Sequence, residues 1–191
     1  FALLKGDRLR LTAREQAVAV AMGLFQFSLN FQLIYRSEHY LTSGLVAVVF
    51  ALMILPNAVL ARIVLGNRMS AQFAAGSAIA LAGIGLLILH EYRIAPVGDG
   101  VTTGVMLVIC AILSVSVGNL LQATETARGV PVVPLMGWGM LWGVLASALY
   151  ASESVGVPVL DPRPEYLAGV AYLGLVGSAL TFPLYSQLIR D

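Results

Sequence analysis

Leu41–Ala61 reads LTSGLVAVVFALMILPNAVLA, and Arg62 follows it at once. The whole run passes without a charge. At about 1.5 Å of helical rise per residue, such a run crosses the ~30 Å hydrocarbon core of a bilayer. The rest of the chain is made of the same material: 59% of its residues are hydrophobic and 11% charged, too apolar for an ordinary water-soluble domain. One similar run precedes this one, at Gln16–Tyr35, and four follow, at Ala71–Leu89, Val101–Leu121, Pro131–Tyr150 and Tyr166–Ile189. None carries Lys, Arg, Asp or Glu near its middle. Backbone in lipid must satisfy its own hydrogen bonds, and the runs do not alternate as barrel strands do, so the sequence predicts six transmembrane helices. A chain of 191 residues has no room to bury six such helices in a soluble core.

The basic residues set the orientation. Lys5, Arg8, Arg10 and Arg14 precede the first run, Arg62 and Arg68 lie between the second and third, Arg128 between the fourth and fifth, and Arg190 after the sixth. Those eight share one side of the membrane, and Arg36, Arg93 and Arg163 share the other. The excess marks the cytoplasmic side, placing Lys5, Arg8, Arg10, Arg14 and Arg68 in the cytoplasm. Glu38, Glu91, Asp99, Glu153, Asp161 and Glu165 fall on the opposite side with both histidines, His39 and His90. The single cysteine, Cys110, sits inside the fourth run, where it has no partner for an intramolecular disulfide and no metal-type spacing.

Both ends read as cut helices. Phe1–Leu4 is apolar and turns basic at Lys5, the reverse of a signal peptide, and Asp191 follows the sixth run with no tail. The expectation is that helices are absent at both ends.

An internal echo joins the first and last runs. Gly23-Leu24, Leu29, Phe31 and Leu33 recur as Gly174-Leu175, Leu180, Phe182 and Leu184 at the same offsets. Asn30 then matches Thr181, and Gln32 matches Pro183. Five crossings separate the two, so equivalence would make the repeat inverted in the membrane, an arrangement common among secondary transporters.

At this point the chain resembles a known family. Tyr35, Tyr40-Leu41-Thr42-Ser43-Gly44-Leu45, Leu55-Pro56, Leu65-Gly66, Gly76 and Ala82-Gly83 are similar, in order and spacing, to an EamA-type repeat of the drug/metabolite transporter superfamily. Tyr172–Leu180 resembles the matching stretch of a second repeat. The resemblance implies an all-α polytopic membrane protein, a piece of a ten-helix bundle of two inverted five-helix repeats. Residues 1–94 would belong to the first repeat and 95–191 to the second. Similar proteins commonly carry Glu after the Leu-Gly of the cytoplasmic turn, where this chain has Asn67.

With no charge at mid-membrane, neutral polar groups are the candidates for a solute pathway, because burying one without a partner is costly. Gln26 and Asn30 share a face of the first helix and read as a substrate wall or as interhelical glue. Asn57 follows Pro56, whose missing N–H frees a carbonyl near Leu52, so Pro56 is a candidate hinge or a fixed kink. Ser116 and Asn119 share a face of the fourth helix. Ser178, Thr181 and Tyr185 form a stripe on the sixth, with Pro183 a second candidate hinge. For the serines and threonine, bonding back to their own helix competes with a cavity role. Trp138, deep in the fifth run with Trp142 one turn on, is a candidate aromatic wall or a packing residue. The small residues of the third run, Gly76, Ala80, Ala82 and Gly83 among them, read as a scaffold or repeat-interface helix.

The function these point to is a secondary transporter, an exporter or permease. By the resemblance it moves small organic metabolites such as amino acids, or drugs, by alternating access. Neutral walls suit a neutral or zwitterionic solute and suit a phosphate poorly. A membrane scaffold or receptor is the competing class. Intramembrane catalysis lacks a nucleophile–base pair or paired carboxylates at depth, so no catalytic residue is assigned. No cofactor, metal or nucleic acid is called for. The partners are the solute and the lipid bilayer, of a bacterial inner (plasma) membrane, and a homodimer is left open.

Overall fold

A computed structural model describes residues 8–66, 70–94, 100–154, 162–182 and 184–185. Among these the regular elements are helical, with no strand. In chain order they are α1 (Ala13–Met22), a first π-helical segment (Gly23–Leu29), α2 (Asn30–Ser37), α3 (Ser43–Phe50), a 3-10 turn (Ala51–Met53) and α4 (Ile54–Leu65). Then come α5 (Ala71–Ile94), α6 (Gly100–Gln122), α7 (Glu125–Arg128), α8 (Val132–Ser154), α9 (Pro164–Tyr172) and a second π-helical segment (Leu173–Leu180). Five stretches are long and apolar enough to cross a membrane: Ala13–Ser37, Ser43–Val64, Ala71–His90, Gly100–Gln122 and Val132–Ser154. The sixth expected span is helical from Pro164 to Phe182. Pro183, Lys5, Asn67, Arg68, Asp99, Asp161 and Arg190 lie outside the described residues.

Local chemistry explains where the helices begin and end. Thr12-Ala13-Arg14-Glu15 is a capping box: Glu15 N donates to Thr12 Oγ1 at 3.4 Å and Thr12 N donates to Glu15 Oε2 at 2.8 Å. Thr42 and Thr124 cap α3 and α7 in the same way, each accepting a backbone N–H at 3.4 Å. Gly66 ends α4 at φ 73°, a left-handed conformation that glycine adopts without a Cβ penalty. Pro56 cannot donate to the carbonyl one turn earlier, at Leu52. The helix tightens there into the 3-10 turn Ala51–Met53.

The helices form two packing units. Of the described residues, those up to 27 and from 121 onward make the first, and those from 28 to 120 the second. The first is built on Ala19, Met22, Ala127, Val130, Leu135 and Met136, with Trp138, Trp142 and Phe182 packed against them. Helices α1 and α8 run parallel in it: Ala19 and Phe27 pack against Gly139, and Gly23 and Phe27 against Gly143. A Cβ at Gly23 would lie 2.5 Å from Gly139 O, so glycine is what permits the approach. The second unit is built on Leu41, Leu45, Val46, Val49, Ile84, Val101, Val108 and Ile112.

Contacts within each unit fit a chain that weaves across a bilayer. Arg8 donates to Gly129 O at 3.1 Å, and four expected crossings separate the two residues, an even number that returns the chain to one side. Tyr40 and Leu41 pack against Gly100 and Gly104 after two expected crossings. Large apolar side chains point away from protein: Ile63 is 72% exposed, Ile79 74% and Leu86 69%. A surface of that kind is unsuited to water and suited to hydrocarbon.

Within the second unit, Gly76, Gly83 and Gly85 of α5 have nothing within 4 Å of where a Cβ would stand. The tight seam of the first unit runs through Gly23, Gly139 and Gly143.

Candidate functional site

Five sequence candidates fall in the first unit. Gln26 lies in the first π segment and Gln122 closes α6. Gln122 Nε2 donates to Gln26 Oε1 at 2.9 Å, with both side chains buried. Gln122 Oε1 has no partner, nor does the buried Nε1 of Trp142 on α8. Trp138 stands apart from this pair in role. Its Nε1 donates to Leu9 O at 2.9 Å, so its polar edge ties the segment ahead of α1 to α8. Its ring borders an apolar cleft of about 380 Å³ with Leu9, Val133, Pro134, Gly137 and Leu141. Ser178 and Tyr185 are half-buried and Thr181 is exposed. Thr181 Oγ1 donates to Val176 O, five residues back, at 2.8 Å, spanning the wide turn of the second π segment. Next to it Phe182 meets Phe27 edge-on, with ring centroids 4.9 Å apart.

Four candidates fall in the second unit: Asn30, Asn57, Ser116 and Asn119. Asn30 is buried at the start of α2. Asn57 lies in the first turn of α4, directly after Pro56 and the 3-10 turn. Beside that turn is an apolar cleft of about 300 Å³ lined by Ala51, Leu52, Leu55, Phe73, Gly76 and Ala80, among others. Asn119 Nδ2 donates to Asn57 Oδ1 at 3.4 Å, a long bond that joins α6 to α4. Ser116 and Asn119 are buried on one face of α6, and Ser116 Oγ and Asn119 Oδ1 have no partner. Of the hydroxyls read as either back-bonded or cavity-lining, Thr181 bonds back to its own helix and Ser116 does not.

The sequence reading passed over Gln122 and the indole nitrogen of Trp142. The signal for Gln122 was present: it continues the Ser116, Asn119 spacing by three more residues. Trp142 gave no such sign, because whether an indole N–H finds a partner depends on neighbours from distant segments. Chemically, both polar groups offer hydrogen bonds and no charge. Among the described residues no group of His, Cys, Asp or Glu is placed to hold a metal.

The two π segments fall on the residues of the internal echo. The first opens at Gly23 and ends at Leu29; the second contains Gly174 and ends at their counterpart, Leu180. In each, the next residue is a polar candidate, Asn30 or Thr181. Widened turns of this sort occur mostly as single insertions within α-helices, often at functional sites.

Comparison with known proteins adds one match. Residues 1–89 match the profile of the EamA-like transporter family. No curated protein and no solved structure matches the chain.

Proposed function

We propose, from the match of residues 1–89 to the EamA-like transporter family, that the chain acts as a secondary carrier for small organic solutes, working by alternating access. The family match over residues 1–89 supports a membrane transporter, and the long apolar helices support an integral membrane protein. The observation that carries the carrier reading is the set of buried polar atoms without partners along the last two turns of α6: Ser116 Oγ, Asn119 Oδ1 and Gln122 Oε1. A scaffold gains nothing from keeping such groups in an apolar span, where each is costly. A carrier needs them to replace the solute's hydration.

The paired π segments support a moving-repeat mechanism. They stand at matching residues of the first and last helices, where two gates of an inverted repeat would be. The neutral lining favours a neutral or zwitterionic metabolite, an amino acid or an apolar drug, over a phosphate. In this reading the membrane is a bacterial inner membrane, and the charge asymmetry favours Lys5, Arg8, Arg10, Arg14 and Arg68 on its cytoplasmic face.

Reconstituted vesicles test the reading. Asn30→Ala and Asn57→Ala should each lower solute flux while leaving folded yield unchanged. Flux kinetics equal to the parent chain would remove both residues from the pathway. A scaffold or receptor would show no protein-dependent flux of any solute class.

A further inference from the structure

The unpartnered polar atoms Ser116 Oγ and Asn119 Oδ1 of the second unit are both oxygens with acceptor capacity. From Gly100 to Gln122, α6 carries no charged residue. Ser116 is 1% exposed and Asn119 5%. The Asn119 amide is oriented by its own bond: Nδ2 donates to Asn57 Oδ1, which leaves Asn119 Oδ1 as the buried end with no partner. A carbonyl oxygen has two acceptor sites, so Asn57 Oδ1 retains capacity after accepting that bond.

Ser116 is unusual among the intrahelical serines. Ser77 donates to Phe73 O at 2.7 Å, Ser152 to Leu149 O at 2.7 Å and Ser154 to Tyr150 O at 2.6 Å, each masking its hydroxyl against its own helix. Ser116 Oγ makes no such bond. Residues three apart on a helix stand about 5–6 Å from one another at Cβ, so its oxygen and that of Asn119 line one face. Asn57 is held to the same face from α4.

We propose that Asn57, Ser116 and Asn119 form a binding site for a primary amino nitrogen of the solute, taken as the ammonium. The proposal deepens the carrier reading and rests on it for the site's purpose. An –NH3+ group has three donors and no acceptor, matching three acceptor oxygens. A carboxylate or phosphate has no donor for the two amide oxygens and, of the three, could accept only from the Ser116 hydroxyl, so it matches this point less well. A hard divalent cation needs about six oxygens with carboxylates among them, more than α4 and α6 supply here.

The test uses the full chain in lipid nanodiscs and two probe cations of like charge. n-Propylamine, protonated at neutral pH, carries three N–H donors; propyltrimethylammonium carries none. NMR titration should show binding of propylamine and none of propyltrimethylammonium. Ser116→Ala should weaken propylamine by about tenfold, the loss of one charge-assisted hydrogen bond. Asn119→Leu should abolish it. If Asn119→Leu does not fold, Ser116→Ala decides alone, because it removes only an oxygen that has no partner in the free protein. Equal binding of the two cations, no binding of propylamine, or an unchanged propylamine affinity in Ser116→Ala overturns the site. Amine binding without solute flux would keep the site and overturn the carrier. Flux with no preference between the two cations would do the reverse.

Discussion

A hydroxyl buried without a partner costs free energy that its removal returns. Ser116→Ala should therefore raise the unfolding free energy of the ligand-free chain by about 1–2 kcal/mol, read as a higher thermal midpoint in nanodiscs. Stability gained where binding is lost would mark the residue as kept for function. The Gln26–Gln122 bond is a direct contact inside the first unit that still leaves Gln122 Oε1 without a partner. A double-mutant cycle with Gln26→Leu and Gln122→Leu should return a coupling of about 1 kcal/mol, in keeping with interhelical hydrogen bonds in membranes. Additive effects would mean that the two amides do not hold each other in lipid. Gln26, Asn30, Ser116 and Asn119 could be picked from the sequence because polar side chains are conspicuous in apolar runs. Which of their atoms pair could not, since Gln26 meets a residue 96 positions away.

Between elements, small residues act only where another helix arrives. Gly23 on the first π segment faces Gly139 O, and an added Cβ would stand 2.5 Å from it. Gly23→Ala should destabilise the first unit by about 1–3 kcal/mol, as overpacking does. Gly83→Ala on α5 meets nothing within 4 Å and should be neutral or stabilising by up to about 1 kcal/mol, the helix-propensity gain. Urea-induced unfolding of both variants in the same lipid checks the contrast, and equal effects would refute the seam. The break at Ala51–Met53 was readable because Pro56 acts on its own helix, one turn back. The π segments were not readable. Gly23–Leu29 and Leu173–Leu180 share residues with the echo, but nothing in a hydropathy pattern separates a wide turn from an ordinary one.

For the whole molecule the claim under test is the weave. Single cysteines introduced by Gly66→Cys and Arg93→Cys, with Cys110→Ser as background, stand at opposite ends of the stretch that contains α5. A membrane-impermeant thiol reagent added to sealed vesicles should label one and not the other. Labelling of both from the same side would break the alternation that orients every other span. The contact between Arg8 and Gly129 and the packing of Tyr40 on Gly100 are what this alternation requires within each unit.

The sequence by itself determined the solvent, the helical class, the approximate span ends and the likeness to EamA-type transporters. Each of these follows from properties that add up along the chain: apolar length, the side on which arginines fall, the caps at Thr12 and Thr42, and the missing N–H of Pro56. Only the tertiary structure decided that the Gly139–Gly143 pair makes the close seam of the first unit. It alone decided that Trp138 spends its indole proton on Leu9 and that Ser116 leaves its oxygen unmasked. Those outcomes turn on which distant segment arrives at a given face, and a one-dimensional pattern records the faces but not the arrivals.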